Sequence, residues 1–147
     1  MENRHGLILD AHATVADGFA EREAATTMLS THWRFAPPRH RTVGADKAYD
    51  TVDFVEQVRA IDMTPHVAQN DTRRGGSAID ARTTRHTGYT MSQHVRPRIE
   101  RAFAWLKTIA GLRKVKLRGL ATVDALFVFA SAAFNIKRIV ILRAAAA

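Results

Sequence analysis

Residues 42–50 run Thr-Val-Gly-Ala-Asp-Lys-Ala-Tyr-Asp, and the fold expected for the whole chain follows from this stretch. Its first four residues, Thr42–Ala45, form a short apolar run that is typical of a buried strand. Asp46 follows at the carboxyl end of that strand. In open α/β sheets the active crevice lies just beyond the carboxyl ends of the strands. The stretch therefore predicts a carboxylate where such a domain carries its chemistry, although a strand-end Asp is also a common helix cap.

Strands and helices alternate on both sides of this stretch. Before it we expect a strand over Gly6–Val15 that completes a hairpin, a helix over residues 19–32 and a loop at Pro37-Pro38. After it we expect a helix from its cap Thr51 to Ile61, a strand over Met63–Gln69, and helices over Ser92–Leu112 and Leu120–Leu142. This order favours an α/β domain whose sheet is covered by helices.

Length and composition are those of one globular domain with a single core. The chain has 147 residues, 46% of them hydrophobic and 24% charged, and no cysteine. These values exclude a disordered or collagen-like chain, a disulfide scaffold and a cysteine zinc site. The longest apolar stretch, Ala125–Ile136, is shorter than the roughly 20 residues that a bilayer requires, so we expect a buried helix there. We expect an intracellular domain over residues 1–143 and a disordered tail over residues 144–147.

Charge is spread unevenly along the chain. Residues 1–72 carry seven basic and eleven acidic side chains, whereas residues 73–147 carry fifteen basic and three acidic ones. Such a basic half is typical of a domain that binds a polyanion, most often DNA or RNA. Residues 70–90 show no periodicity and predict a mobile basic loop, with a soluble linker as the alternative. An RNA-binding domain is disfavoured because only 7% of the residues are aromatic.

The helix predicted over Ser92–Leu112 carries a second candidate carboxylate. Helical spacing puts four residues on one stripe, beside an apolar face of Ile99, Leu106 and Ile109; the four are Arg96, Glu100, Phe103 and Lys107. Mg²⁺ and Mn²⁺ prefer oxygen ligands, and two-metal sites take carboxylates from separate elements. Asp46 and Glu100 could supply part of such a site, with the two cations holding phosphates. The alternative is a salt-bridged surface face.

Two motifs resemble those of DDE-type insertion-sequence transposases. Gly44–Asp50 is similar to the block around that family's second catalytic aspartate, in which Asp, any residue, Gly, Tyr, Asp is typical. Arg96, Glu100 and Lys107 match the register of its terminal signature, which is Tyr, two residues, Arg, three residues, Glu, six residues, Lys. Ala48 stands where Gly is usual, and Gln93 stands in place of the Tyr. Residues 73–80 and 82–86 also look like the family's basic loop.

The resemblance implies a ribonuclease-H-like mixed sheet flanked by helices, and phosphodiester cleavage and strand transfer that depend on Mg²⁺ (or Mn²⁺). Asp46 and Glu100 would then be catalytic residues and metal ligands. The residues expected to bind DNA are Arg73, Arg74, Arg82, Arg85, Arg96 and Lys107. Transposon ends and target DNA are the implied partners in a bacterial cytoplasm, together with a second copy or an intact transposase, and no membrane is implied.

The family's first catalytic aspartate lies upstream of the hairpin that residues 1–15 complete, and Asp10 matches a non-catalytic position. We therefore expect a C-terminal portion of the catalytic domain that is incomplete at its N-terminal strand and inactive alone, since the loss of a ligand costs about 10- to 100-fold in affinity or activity. The alternative is a non-catalytic DNA-binding remnant that associates with an intact transposase or inhibits it.

Overall fold

The computed structural model describes residues 1–32 and 41–146, which divide into two compact units rather than the single core that the length favours. Unit 1 comprises Met1–Asp17 and Pro97–Ala147, and unit 2 comprises Gly18–Arg96. The loop predicted at Pro37-Pro38 lies outside the described residues.

Unit 2 contains a parallel pair of strands flanked by helices. Its elements in chain order are α1 (Ala20–His32), β1 (Thr42–Ala45), a 3₁₀ turn (Lys47–Tyr49), α2 (Val52–Ala60), β2 (Thr64–Val67), α3 (Ala81–Thr84) and α4 (Thr87–Val95). Thr42 pairs with Thr64, and Ala45 pairs with Val67. These elements confirm the predictions for α1, β1, α2 and β2. The mixed sheet is not present among the described residues, where the sheet consists of these two parallel strands.

The core of unit 2 forms where α2 packs against β2. Thr51 caps α2, because its hydroxyl oxygen accepts a hydrogen bond from the backbone N–H of Phe54 at 3.2 Å. The helix then buries Phe54, Val55 and Val58 together with Val67 of β2 and Ile79. Burial of each such side chain contributes about 1.5–3 kcal/mol relative to exposure. This packing fixes the parallel pair whose carboxyl ends carry the candidate site.

Two predictions about residues 70–112 are wrong. Residues 70–90 are not a loop throughout, because α3 and the start of α4 lie within them; Asp80 caps α3 by accepting the backbone N–H of Arg82. The single helix predicted over Ser92–Leu112 is divided into α4 and α5 (Arg98–Thr108). Pro97 lies between them, and proline lacks the N–H that an uninterrupted helix requires and clashes with the carbonyl four residues earlier.

Unit 1 is built on α5 and the long helix α6 (Leu120–Ala145), with a 3₁₀ turn at Leu112–Lys114 between them. The helix predicted over Leu120–Leu142 is confirmed, and it extends into the stretch 144–147 that was expected to be a disordered tail. Ala102 and Leu106 of α5 are buried, and Phe103 stacks on Phe127 of α6 with ring centroids 6.4 Å apart.

The prediction that Ala125–Ile136 is buried is wrong. Val128, Phe129 and Ile136 are 48%, 76% and 66% exposed, whereas Ala130 and Ser131 are buried. Within the described ranges, α6 is the one helix long and apolar enough to cross a membrane, judged by length and composition alone. Core helices of soluble proteins share those two properties, so they do not distinguish a membrane helix from a soluble one.

Residues 6–16 are not a strand, contrary to prediction; they run along α6 without regular secondary structure. Asn135 of α6 accepts the N–H of Ile8 and donates to its carbonyl, both at 2.8 Å. Asp124 accepts the N–H of Ala13 at 2.6 Å. Helix side chains therefore satisfy backbone groups that would otherwise need a neighbouring strand. We call residues 1–16 the N-terminal strap.

Candidate functional site

Asp46 lies at the carboxyl end of β1, as predicted. Its backbone is extended, with φ −78° and ψ 176°, and its Oδ1 accepts the N–H of Ala48 at 2.8 Å. Asp46 therefore caps the 3₁₀ turn, which was the alternative considered for it. The side chain is exposed. A carboxylate has about four lone-pair sites, so one such hydrogen bond leaves capacity to accept others or to bind a cation.

Asp50, the last residue of the same motif, is fully buried, and its role was missed from sequence. Its Oδ2 accepts the N–H of Asn70 at 2.7 Å, and its Oδ1 accepts the N–H of Ala78 at 2.9 Å. The guanidinium of Arg73 donates to the backbone carbonyl of Asp50. The sequence signal that could have pointed to Asp50 is that the motif regularly has Asp at this position. Its partners, however, lie 20 and 28 residues downstream.

Residues 70–78, which we call the arginine loop, leave the sheet at the edge where Asp46 lies. The N–H of Ala68, directly after β2, donates to the carbonyl of Ala45 at 2.9 Å, and Ala45 precedes Asp46. Arg73 and Arg74 are both exposed within the loop. Unit 2 thus brings two of the predicted DNA-binding arginines to the carboxyl end of the strands.

Arg82 lies on α3, and Arg85 follows directly after the last residue of that helix. The guanidinium of Arg82 forms an ion pair with Asp80, which also accepts from Arg59 at 3.3 Å. The hydrogen bond from Arg82 lowers the pKa of Asp80 and raises the pKa of Arg82 itself. Arg82 therefore carries a partly compensated charge. Arg85 is exposed at the C-terminal end of α3.

The single stripe predicted for Arg96, Glu100, Phe103 and Lys107 is present only in part. Glu100, Phe103 and Lys107 lie on α5 in unit 1, whereas Arg96 follows the last residue of α4 in unit 2, so the prediction is wrong for Arg96. Glu100 is exposed in the first turn of α5, where the positive end of the helix dipole favours an acid. Lys107 is exposed in the last turn and lines a surface pocket of about 460 Å³ together with Arg113.

The apolar face predicted beside that stripe is only partly present. Leu106 is 2% exposed, but Ile99 and Ile109 are 36% and 69% exposed. Ala102, at 1%, takes the place expected for them on the buried side of α5. The burial of Ala102 was not predicted, because the predicted apolar face was based on large aliphatic side chains.

The two candidate carboxylates belong to different units, Asp46 to unit 2 and Glu100 to unit 1. Over residues 1–32 and 41–146, no group of three or more His, Asp or Glu side chains could hold a metal ion. The described residues therefore do not by themselves form the carboxylate cage that a two-metal site needs.

His66 of β2 marks a polar contact with α4 that the sequence did not reveal. Its Nδ1 lies 2.6 Å from the hydroxyl of Ser92, and its backbone carbonyl accepts from the amide of Gln93 at 2.7 Å. Tyr89 donates to the carbonyl of Val67 at 3.0 Å. Burial lowers the pKa of His66, and the charge of His86 lowers it further. Gln93, which stands at the signature's Tyr position, thus fixes α4 to the sheet.

Comparison with known proteins identifies the family of this chain. The family model described as "Transposase DDE domain" matches residues 1–136, which include both motifs. Searches of the curated proteins and of the solved structures found no match. Because the family match covers most of the 147 residues, the chain belongs to the transposase DDE domain family.

Proposed function

We propose that this chain acts in DNA transposition through a ribonuclease-H-like domain whose DNA-facing edge is the carboxyl end of β1 and β2. The observation that carries the proposal is that β1 and β2 end side by side, so that Asp46 follows one strand and the arginine loop follows the other. A carboxylate and exposed guanidinium groups on one edge suit a phosphodiester backbone, because arginine binds phosphate through two hydrogen bonds and carboxylates bind hard cations.

DNA binding rests on the exposed cations of the basic half. Arg73, Arg74 and Arg85 are exposed in unit 2, and Lys107 is exposed in unit 1. Arg82 and Arg96 complete the proposed contact set. Each phosphate neutralised by such a side chain releases counterions. The logarithm of the binding constant therefore falls linearly with the logarithm of the salt concentration, with a slope of about −0.9 per phosphate contact. Transposon ends and target DNA are the proposed ligands.

We assign Asp46 and Glu100 as catalytic carboxylates and ligands of Mg²⁺ (or Mn²⁺). Asp10, in the N-terminal strap, matches a non-catalytic position of the family and is not proposed as a ligand. Asp46 and Glu100 alone leave a two-metal site short of carboxylates, so the 147 residues are expected not to cleave DNA alone. A further carboxylate from an intact transposase or a second copy would be needed. The exposed apolar residues of α6 offer such a partner a surface.

A non-catalytic DNA-binding remnant is the second candidate. It is favoured by the fact that unit 2 contains the arginine loop and its anchoring carboxylate without any residue of α5. Such a remnant would act by binding DNA, or by associating with an intact transposase and inhibiting it. Both candidates imply a soluble protein near the bacterial nucleoid and no membrane.

Two assays test these proposals. Binding of duplex DNA, followed by fluorescence anisotropy across a KCl series, should weaken steeply with salt, and affinity independent of salt would contradict the proposed DNA interface. Supercoiled plasmid with Mn²⁺ should stay intact with the 147 residues alone. Nicking by the wild type would contradict the expected inactivity. If that nicking also survived both Asp46→Ala and Glu100→Ala, the assignment of these carboxylates would be overturned.

A further inference from the structure

We infer that Asp50 is a positioning residue whose buried carboxylate holds the arginine loop at the edge of the sheet. The holding step depends only on contacts within unit 2. The consequence for DNA rests on the proposed function, because it assumes that Arg73 and Arg74 contact phosphates. Asp50 itself is fully buried and therefore touches no nucleic acid.

The contacts span the whole loop. Asn70 at its start and Ala78 at its end donate their backbone N–H groups to different oxygens of the one carboxylate, at 2.7 and 2.9 Å. Between them, the side chain of Arg73 donates to the backbone carbonyl of Asp50. A single residue thereby ties together the two ends and the middle of the loop. Hydrogen bonds to an ionised acceptor are about twice as strong as neutral ones.

The tip of the loop has a backbone that needs this closure. Gly75 and Gly76 have φ values of +95° and +78°, in the region that favours glycine, and the N–H of Gly76 donates to the carbonyl of Arg73 at 2.9 Å. Glycines also give a loop many other conformations, so its ordered form costs conformational entropy. Anchoring of both ends by one buried group offsets this cost.

An aspartate suits this position better than its amide. Two N–H donors converge on the side chain, and a carboxylate has an oxygen for each. In Asp50→Asn one of those oxygens becomes an NH₂ group, which would face an N–H donor and leave it unsatisfied in the interior. The substitution keeps shape and volume, so α2 and its core are expected to persist.

The first measurement uses amide hydrogen exchange of the full chain. In the wild type the amides of Asn70 and Ala78 should be protected. In Asp50→Asn their protection should fall, while that of Thr64 in β2, whose N–H donates to the carbonyl of Arg41 at 2.8 Å, is retained. Asp62→Asn is the matched control, because Asp62 is exposed with φ 57°, a conformation that Asn also adopts readily. Unprotected Asn70 and Ala78 amides in the wild type would overturn the inference, and this result does not depend on whether the variant folds.

The second measurement is a double-mutant cycle on duplex DNA binding. Asp50→Asn should weaken binding by about tenfold, the change that corresponds to 1.4 kcal/mol. In an Arg73→Ala, Arg74→Ala background it should cause no further loss, because the residues it positions are gone. An equal loss in both backgrounds would contradict a role through these arginines. If the wild type binds no DNA, the proposed function fails, whereas protected amides that Asp50→Asn exposes would still establish the holding role.

Discussion

Arg82 and Asp80 form an ion pair in which Nε and Nη2 of the guanidinium lie 2.8 and 2.7 Å from the same carboxylate oxygen, Oδ2. Both side chains belong to α3 and its cap, and both are well exposed. Exposed pairs of this kind contribute little to stability. The pair instead limits the availability of Arg82 for DNA, since the guanidinium must leave Asp80, or contact Asp80 and the phosphate together, in order to bind a DNA phosphate.

We therefore expect Arg82→Ala to weaken DNA binding less than Arg85→Ala, which changes the same residue type directly after the same short helix. The salt series should show the difference as a smaller change in slope for Arg82→Ala than the roughly 0.9 expected for one full phosphate contact. An Arg82→Ala slope change equal to or larger than that of Arg85→Ala would show that the ion pair does not limit Arg82.

The same pair predicts the titration of Asp80. Its pKa lies below the usual value of 3.8, first because Arg82 donates a hydrogen bond to the carboxylate. A depressed folded-state pKa stabilises the protein above pH 3.8, and that contribution is lost as the pH falls through the folded value. Arg82→Ala should move the pKa up towards 3.8, measured by NMR titration of the side-chain carboxyl. An unchanged pKa would contradict the assigned cause.

His66 predicts a pH dependence of stability that comes from burial and not from an ion pair. Its pKa lies below 6.5, first because burial disfavours the charged imidazolium and second because of the charge of His86. The unfolded chain binds the proton more readily, so the free energy of unfolding should fall as the pH drops through about 6.5. Ser92, Tyr89 and Gln93 surround His66 with neutral groups.

Urea denaturation at about pH 7.5 and about pH 5.5 measures this effect, since His residues titrate between these values. His66→Gln should reduce the difference between the two free energies, whereas His94→Gln, at an exposed position of α4, should leave it unchanged. Equal pH dependence in the wild type and His66→Gln would show that another group is responsible.

The N-terminal strap gives a prediction for unit 1. Asn135→Leu removes both hydrogen bonds to Ile8 and leaves its backbone groups without those partners. The cost in the free energy of unfolding should lie below the about 1–3 kcal/mol of a fully buried unsatisfied group, because Ile8 and Asn135 are only half-buried. Ala132→Leu, at an exposed site three residues earlier on α6, serves as the control. Faster exchange of the Ile8 amide in Asn135→Leu alone would locate the loss at the strap.

Sequence patterns predicted those parts of the fold whose causes are local. The cap at Thr51 and the apolar spacing of Val55 and Val58 suffice for α2, and β1 with Asp46 at its end follows from residues 42–46. The helix break was equally local, because Pro97 alone explains it. It was missed because Arg96, Glu100 and Lys107 keep a helical spacing across the proline.

The errors share a different cause, which is dependence on distant partners. Residues 6–16 have a composition that favours an extended backbone, but their partners are side chains of α6 more than 100 residues away, such as Asn135 and Asp124. Asp50 was overlooked because its burial depends on N–H groups that reach it from positions 70 and 78. A pattern within one segment contains no information about such pairings.

The division of the chain also affects the order in which it can fold. Unit 2 is one continuous segment, whereas unit 1 joins the first 17 residues to those after Pro97. The strap cannot reach α6 until everything between them has been synthesised, and it must then close a loop that contains all of unit 2, with an entropic cost that grows with the logarithm of its length. We therefore expect the amides of unit 2 to become protected from hydrogen exchange first during folding, and the strap to pack on α6 late.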